Sequence, residues 1–312
     1  MSLISVVIPL LNEEGSLIEL YSQIKSTLEP SDHQFEILFI DDGSTDDSGS
    51  LIEEMAETDQ RVRAIRFQRN YGKAAALNIG FREARGDYIV TMDADLQDDP
   101  EEILPLIASM GDDFEMVSGW KQVRHDPIGK RWPSKLFNFV VAKFSGIPIH
   151  DFNCGLKAYK KQVVKNIELY GELHRYIPVL AKQRGFRCTE KIVEHHPRKY
   201  GVSKYGFGRM FSGLFDLMTV MFLGRYLKKP LHFFGLLGLL LGAVGFIILL
   251  WLGIQWVRQY FYGTGAWIGD RPIFYIGILL SIIGGQFISM GLLGELITSH
   301  GQREEPVIRD TN

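Results

Sequence analysis

Residues 1–120 alternate between short apolar runs and longer stretches whose apolar residues recur at helical spacing. The apolar runs predict strands at 5–10, 35–40, 62–67, 88–92 and 114–118. The stretches between them predict helices at 16–28, 73–84 and 100–110, and a further helix that follows residue 46 and runs through residue 55. Strands that are continuously apolar and separated by helices indicate an α/β fold with a parallel, helix-covered sheet. In such sheets ligands bind at the carboxyl ends of the strands.

Two later segments carry no Asp, Glu, Lys or Arg: residues 231–257 and 272–294. Each exceeds the roughly 20 apolar residues that cross a bilayer, so we expect a membrane protein with two transmembrane helices. Basic residues precede the first span and follow the second, namely Arg209, Arg225, Lys228, Lys229, Arg303 and Arg309. The positive-inside rule then predicts a multi-pass protein of the plasma membrane, with both termini and the α/β domain in the cytoplasm.

The chain therefore divides into four predicted segments: a cytoplasmic α/β domain at 1–200, an interfacial amphipathic region at 201–229, a two-helix anchor at 230–297 and a cytoplasmic tail at 298–312. Segments 135–144 and 205–223 place aromatic and aliphatic residues at helical spacing, which is typical of helices lying in a membrane interface. The second of these fits a buried core helix as well. Glycines recur through both spans and allow close helix packing, so we expect an anchor that also forms homo-oligomers.

Composition and charge exclude several other classes. The chain has 46% hydrophobic and 23% charged residues, which excludes a disordered protein. Its net charge of −3 shows no basic excess, so we expect no nucleic-acid partner. Two cysteines are too few for a disulfide framework. The pair His195-His196 shows no convincing metal-ligand spacing.

Acidic residues follow three of the predicted strands: NEE at 12–14, DD at 41–42 and DAD at 93–95. Carboxylates that converge on one sheet edge repel one another unless a cation lies between them. Asp93 and Asp95, two residues apart after a buried strand, can both turn toward one ion. Oxygen ligands of this kind predict Mg²⁺ or Mn²⁺, shared with the phosphates of a substrate.

Six segments resemble glycosyltransferase family 2, which has the GT-A (Rossmann-like) fold: VVIPLLNEE at 6–14, IDDGSTD at 40–46, NYGK at 70–73, DADLQDDPE at 93–101, DFNCGLKAY at 151–159 and RKYGVSKY at 198–205. The last two resemble the polyprenyl-phosphate branch of the family. Two spans after the catalytic domain are most similar to the bactoprenol glucosyltransferases and less so to the dolichyl-phosphate mannose synthases.

The resemblance implies an inverting enzyme that moves a hexose, with glucose expected, from a UDP-sugar to polyprenyl (undecaprenyl) phosphate. The implied nucleotide-sugar residues are Pro9, Asn12, Glu13, Asp41, Asp42, Lys73, Asp93, Ala94, Asp95 and Gln97. Among these, Asp93, Asp95 and Gln97 are the implied metal ligands. Asp93, Asp95 and Asp151 are the implied catalytic residues, with Asp151 either a base or a cap of its own loop.

The acceptor phosphate is already ionised near neutral pH, so its site needs positive charge more than it needs a base. The residues expected to contact it are Lys121, Arg124, Arg131, Ser134, Arg198 and Lys204. A basic patch attracted to anionic lipid is the alternative interpretation of these side chains.

Three alternative functions stay open from the sequence. The first is the same chemistry with mannose, galactose or an amino sugar. The second is a processive polysaccharide synthase, although the Gln-x-x-Arg-Trp motif of those enzymes has Ile128 in place of the glutamine here. The third is a non-catalytic scaffold or lipid flippase.

Overall fold

The computed structural model describes residues 2–122, 138, 141–142, 145–197, 199–200, 230–264 and 271–300. They form two compact units, one built around a sheet and one consisting of two long helices. The predicted interfacial segment 205–223 and most of segment 135–144 lie outside the described residues.

The sheet has seven strands: β1 Leu3–Leu10, β2 Gln34–Asp41, β3 Val62–Arg66, β4 Tyr88–Thr91, β5 Met116–Trp120, β6 Lys157–Lys160 and β7 Cys188–Ile192. Their order across the sheet is β3-β2-β1-β4-β6-β5-β7. The helices of this unit are α1 Leu17–Leu28, α2 Ser48–Thr58, α3 Lys73–Glu83, α4 Ile103–Ala108, α5 Lys161–Lys165 and α6 Ile177–Gln183. Two 3₁₀ turns, Pro100–Glu102 and Leu173–Tyr176, precede α4 and α6.

The prediction of a parallel sheet needs one correction. Strand β6 runs antiparallel to both of its neighbours, β4 and β5, whereas all the other pairs are parallel. An apolar run predicts that a segment is a strand but carries no information about its direction. The insertion of β6 matters for the site, because Lys157 at its beginning pairs with Thr91 at the end of β4.

The core lies on both faces of the sheet, as the continuous apolar strands predict. On one face α1 buries Leu17, Leu20, Ile24 and Leu28, which recur at helical spacing. On the other face α3 approaches so closely that a Cβ at Gly80 would overlap Val7 of β1. This packing fixes the sheet edge from which the loops with the acidic residues emerge.

The second unit contains both predicted spans within longer helices, α7 Pro230–Tyr262 and α8 Pro272–His300. Both are long and apolar enough to cross a membrane. A Cβ at Gly238 would lie 2.6 Å from the carbonyl oxygen of Gly284, so the glycines let the two backbones touch. Gly238 and Gly284, which belong to the glycine pattern expected to join separate chains, thus pack two helices of one chain together. At three other glycines, Gly242, Gly253 and Gly285, a Cβ would point into open space.

Candidate functional site

The acidic loops meet at one edge of the sheet, as predicted. Strands β1, β2 and β4 are adjacent and parallel, and they end at Leu10, Asp41 and Thr91. Because β6 is antiparallel, its first residue, Lys157, lies at the same edge. The site therefore combines three acidic loops with a buried lysine that sequence reasoning did not select.

The loop after β1 is held against the loop after β2 by Asn12. This residue has a φ of 54°, and its side-chain oxygen accepts a hydrogen bond from the Thr45 N–H at 2.8 Å. Its own N–H donates to Ser44 Oγ at 2.9 Å. The side chain of Asn12, one of the expected nucleotide residues, thus fixes the shape of the two loops.

The neighbouring carboxylates Asp41 and Asp42 are both buried but differ in how they are satisfied. Asp42 accepts hydrogen bonds from the N–H groups of Tyr71 and Gly72, at 2.7 and 2.9 Å. Burial nevertheless raises the pKa of Asp42, because desolvation outweighs those bonds. Asp41 Oδ1 accepts from the Ser44 N–H at 2.8 Å, whereas Oδ2 has no hydrogen bond among the described residues and lies 3.4 Å from Arg66 Nε. A buried carboxylate oxygen without a hydrogen bond is a candidate ligand contact.

The turn that follows β4 folds back on its own acidic side chains. Asp98 is buried and accepts from the N–H of Asp93 at 3.1 Å, while Asp95 accepts from the N–H of Gln97 at 3.2 Å. Leu96, which follows Asp95, has a φ of 59°, a backbone angle that residues other than glycine rarely adopt. These contacts hold Asp93, buried Ala94 and Asp95 at the sheet edge, where they were expected.

Lysines surround Asp93. Lys73, at the beginning of α3, forms an ion pair with Asp93 Oδ1. Burial by itself would raise the pKa of Asp93, but the charges of Lys73, Lys121 and Lys157 outweigh it and lower the pKa to about 2. Asp93 is therefore ionised at neutral pH and available as an oxygen ligand.

Gly155 allows the Asp93 side chain to occupy its place. A Cβ at Gly155 would lie 2.6 Å from Asp93 Cγ, which is closer than non-bonded atoms approach. The carbonyl oxygen of Gly155 also accepts a hydrogen bond from Thr91 Oγ1 at 2.8 Å. Glycine is required here by close approach to a site residue.

Asp151, the candidate base, is buried beside the same group of charges. Its Oδ1 accepts a hydrogen bond from the Asn153 N–H at 3.1 Å, which stabilises the loop that enters β6. The loop-capping alternative that the sequence left open is thus present in the structure. Its catalytic role stays a prediction.

Of the expected acceptor residues, only Lys121 lies within the described part of the chain. Its ammonium group is 2.7 Å from Asp98 and is almost fully buried. Although burial would lower the pKa of Lys121, the Asp98 carboxylate outweighs it and raises that pKa, so Lys121 is charged. Arg124, Arg131, Ser134, Arg198 and Lys204 lie outside the described residues.

Three groups were missed by sequence reasoning, and two of them belong to the site. Lys157 and Asp98 stand in segments whose other residues attracted attention, and no pattern along the chain singles out either of them. The third group is a metal-competent cluster of Asp99, Glu194 and His196, whose ligand atoms lie within 4.8 Å of one another. The expectation about histidine spacing missed this cluster because its members are distant in sequence.

Comparison with known proteins decides the family. The model for Glycosyl transferase family 2 matches residues 5–168. The chain belongs to this family. Dodecaprenyl-phosphate galacturonate synthase of Rhizobium johnstonii is 36% identical over 309 residues, which are 97% of this chain and 89% of that protein. Undecaprenyl-phosphate 4-deoxy-4-formamido-L-arabinose transferase of Pseudomonas fluorescens is 38% identical over 94% of this chain and 84% of that protein.

The solved structures agree on the fold. One is a mannosyltransferase from Pyrobaculum calidifontis in complex with GDP-Man and Mn²⁺. Its superposition covers 97% of this family 2 chain and 76% of the mannosyltransferase chain, with a TM-score of 0.52 and 18% identity. Another is glucosyl-3-phosphoglycerate synthase from Mycobacterium tuberculosis in complex with Mn²⁺, UDP and phosphoglyceric acid. Its superposition covers 72% of this chain and 78% of the synthase chain, with a TM-score of 0.54 and 17% identity. The GT-A fold is therefore confirmed.

The resemblance to the polyprenyl-phosphate branch of family 2 is confirmed as well, since both curated relatives are named for such acceptors. The chain is a glycosyltransferase, and its two long apolar helices mark it as a membrane protein. Neither relative is named for glucose.

Proposed function

We propose that this glycosyltransferase moves one sugar from a UDP-sugar to polyprenyl phosphate, releasing UDP. The observation that carries the proposal is similarity over nearly the whole chain to two transferases named for polyprenyl-phosphate acceptors. That similarity includes the apolar helices as well as the sheet. A membrane anchor is what an acceptor confined to the bilayer requires.

The donor nucleotide lies over the loops after β1 and β2 in this proposal. Pro9, Glu13 and Asp41 hold the uracil and ribose, and the buried Asp41 Oδ2, which has no hydrogen bond among the described residues, supports this role. Asn12 and Asp42 act indirectly, because their side chains already hold the loops in place.

A divalent ion fits the residues after β4. Asp93, Asp95 and Gln97 offer oxygen atoms, which Mg²⁺ and Mn²⁺ prefer, and the lowered pKa of Asp93 keeps its carboxylate ionised. When bound, such an ion neutralises the charge that builds on the leaving diphosphate. Lys73 brings a further positive charge to the same carboxylate.

The reaction is a single displacement. An oxygen of the acceptor phosphate forms a bond to the anomeric carbon, the bond from that carbon to the diphosphate breaks, and UDP leaves with the electron pair. Attack from the opposite side inverts the anomeric configuration. The phosphate is already ionised, so no proton must be removed, and Asp151 serves to order the loop before β6.

The acceptor phosphate is stabilised by positive side chains in this proposal. Lys121 and the basic residues that follow it reduce repulsion between the acceptor phosphate and the donor diphosphate. The full proposed set is Lys121, Arg124, Arg131, Ser134, Arg198 and Lys204. Lys121 also steadies the turn through its ion pair with Asp98.

The proposed location is the plasma membrane, with the sheet-bearing unit in the cytoplasm. Basic residues on both sides of the two spans support this orientation. Gly242 and Gly253 of α7, whose Cβ positions are open, are the proposed contacts of a homo-oligomer.

An assay of UDP release by the full chain in detergent tests the proposal. Release should require undecaprenyl phosphate, stop in EDTA and resume with excess Mg²⁺ or Mn²⁺. Asp95→Asn should lower kcat/KM at least about 100-fold, whereas the control variant Asp113→Asn, at an exposed carboxylate outside the site, should keep most of the activity. UDP release that ignores the lipid would contradict the acceptor, and full activity in EDTA would contradict the metal.

A further inference from the structure

A small cavity lies beside Asp93 and extends beneath the sheet edge. Its volume is about 20 Å³, which is room for a water molecule or one small polar group. Its polar lining comes from β4, β6, α3 and the 3₁₀ turn before α6: Thr91, Lys73, Lys157, Tyr159, His174 and Arg175. Asp93 is the single carboxylate in the lining.

Hydrogen-bond donors dominate this lining. Lys73, Lys157 and Arg175 have no acceptor atoms in their side chains. Lys73 is paired with Asp93 and Arg175 with Glu172, so Lys157 is the lining cation that has no carboxylate at ion-pair distance among the described residues. Such a lining suits a ligand group that accepts several hydrogen bonds and is negatively charged.

Two of the cations are only partly satisfied by the protein. Lys157 is 3% exposed and donates to the carbonyl oxygens of Phe152 and Cys154, with no carboxylate within ion-pair distance in the described part of the chain. Burial lowers the pKa of Lys157, and an anionic ligand beside it would raise that pKa again. The side chain of Arg175 is 14% exposed, and among the described residues its one charged partner is Glu172, at 3.3 Å. A guanidinium group has five N–H donors, so most of them are available to a ligand.

His174 adds a further unsatisfied group. Its Nδ1 is buried and has no hydrogen-bond partner among the described residues. Burial lowers the pKa of His174 well below its usual value, so the ring is neutral at physiological pH. A buried polar atom without a partner beside a cavity indicates a site completed by a ligand or by water.

We propose that this cavity is an anion subsite that binds the carboxylate of a uronic acid, and that the donor is therefore a UDP-hexuronate. The inference rests on the proposed function, in which the diphosphate lies at Asp93 and the sugar next to it. A carboxylate presents two oxygens on a flat group, which matches a cavity of this size. The phosphate of a prenyl ester is larger and carries a bulky chain, so it fits the open side of Asp93 instead.

The subsite gives a physical reason for selectivity. A donor sugar with CH₂OH in place of the carboxylate gives Lys157 no counter-charge and leaves N–H groups of Arg175 unpaired, and a site built around a polar group discriminates against a ligand that lacks it. The charge of Arg175 is the contribution that a substitution can test most cleanly, because Lys73 and Lys157 also act on Asp93.

The experiment compares donors that differ only at C6. Full-length protein in detergent is given UDP-galacturonate or UDP-galactose, and separately UDP-glucuronate or UDP-glucose, with undecaprenyl phosphate and Mn²⁺. We expect kcat/KM for at least one uronate to exceed that of its neutral partner by about 10-fold or more. Binding of the same UDP-sugars, measured by the shift of the protein's Tm, should show the same order.

Variants assign the preference to the cavity. Arg175→Gln should remove most of the preference, by lowering transfer of the uronate about 10-fold while transfer of the neutral sugar changes less than about 2-fold. Glu172→Gln, which removes the carboxylate that competes for Arg175, should increase the preference. Arg82→Gln, at an exposed arginine outside the cavity, is the matched control and should behave as the wild type.

The outcomes separate this inference from the proposed function. Transfer of neutral sugars at equal or higher efficiency overturns the uronate subsite and leaves the proposed function intact. Equal losses for both donors in Arg175→Gln, with a raised KM for undecaprenyl phosphate, would assign the cavity to the acceptor and also overturn it. If Arg175→Gln does not fold, the wild-type donor comparison and Glu172→Gln decide. No transfer from any UDP-sugar would overturn the proposed function itself.

Discussion

At the scale of single residues, the electrostatics of the site centre on Asp93. Its carboxylate contacts Lys73, and Lys121 and Lys157 hold its pKa low despite burial. Gly155 provides the space in which this side chain sits. Charge and space at one carboxylate are thus set by residues from three different segments of the chain.

Substitution of Gly155 tests that arrangement. Gly155→Ala should displace the Asp93 side chain, because the new Cβ would lie 2.6 Å from its Cγ. Since misplacement of a site group by about 1 Å costs on the order of 100-fold in rate, we expect a loss of 10- to 100-fold in kcat/KM. Titration with Mn²⁺ should show weaker binding. Gly15→Ala is the control, since its Cβ would meet Tyr200 at an ordinary 3.4 Å; a Gly155→Ala enzyme as active as this control would contradict the account.

The residues that sequence reasoning found and those it missed differ in a physical respect. Asp41, Asp93 and Asp95 follow apolar strands directly, and the ends of parallel strands converge, so their proximity could be predicted. Lys157 and Arg175 reach the site through an antiparallel strand and a 3₁₀ turn, whose positions depend on tertiary packing. Patterns along the chain do not encode that packing.

At the scale of elements, the turn between α2 and β3 is fastened to α1 by one carboxylate. Asp59 accepts hydrogen bonds from Tyr21 Oη at 2.8 Å and from Arg61 Nε at 2.9 Å. The hydrogen bonds from the Arg61 side chain lower the pKa of Asp59 below its usual range. The ionised carboxylate therefore stabilises the folded state.

The sign of this effect gives a prediction with a pH dependence. Because the pKa is depressed in the folded state, the stabilisation is complete above the unfolded-state pKa of about 3.9 and is lost as pH falls below it. Asp59→Asn should lower the free energy of unfolding by about 1–3 kcal/mol at pH 7. Thermal unfolding in detergent at pH 7 and pH 2 measures this, with the exposed Asp113→Asn as control. A Tm difference that does not shrink at low pH would contradict it.

The two long helices allow a test with neighbouring glycines. A Cβ at Gly284 would lie 2.6 Å from the backbone nitrogen of Gly242, whereas a Cβ at Gly285 has nothing within 4 Å. Gly284→Leu should therefore separate α7 from α8 and lower the Tm in detergent by several degrees, while Gly285→Leu should leave the Tm unchanged. Equal shifts for both variants would show that the helices pack through other faces.

Periodicity predicted the elements far better than it predicted their connections. The first four strands, α1 and α3 lie within two residues of their predicted bounds, because apolar residues mark the faces that are buried. Strands β6 and β7 were not predicted, since KAYK and CTEKI lack a continuous apolar run. The single helix expected at 100–110 is instead a 3₁₀ turn, Pro100–Glu102, followed directly by the short helix α4, which contains Pro105.

At the scale of the whole molecule, the charges flanking the apolar helices predict an orientation. Four basic residues precede α7 within 21 positions, at 209, 225, 228 and 229. Green fluorescent protein fused after Asn312 should fluoresce in a bacterial host, and alkaline phosphatase inserted after Thr264 should be active outside the cytoplasm. The opposite pattern would place the sheet-bearing unit outside the cell, away from UDP-sugars.

The central claim is that one sugar is joined to one polyprenyl phosphate, and the mass of the lipid product tests it most directly. Purified full-length protein is incubated with undecaprenyl phosphate, Mn²⁺ and the preferred UDP-sugar, and the organic extract is analysed by mass spectrometry. We predict a single new lipid, heavier than undecaprenyl phosphate by one sugar residue and absent for Asp95→Asn. A ladder of masses spaced by one sugar would indicate a polymerising synthase, and an unchanged lipid accompanied by free sugar would show that polyprenyl phosphate is not the acceptor.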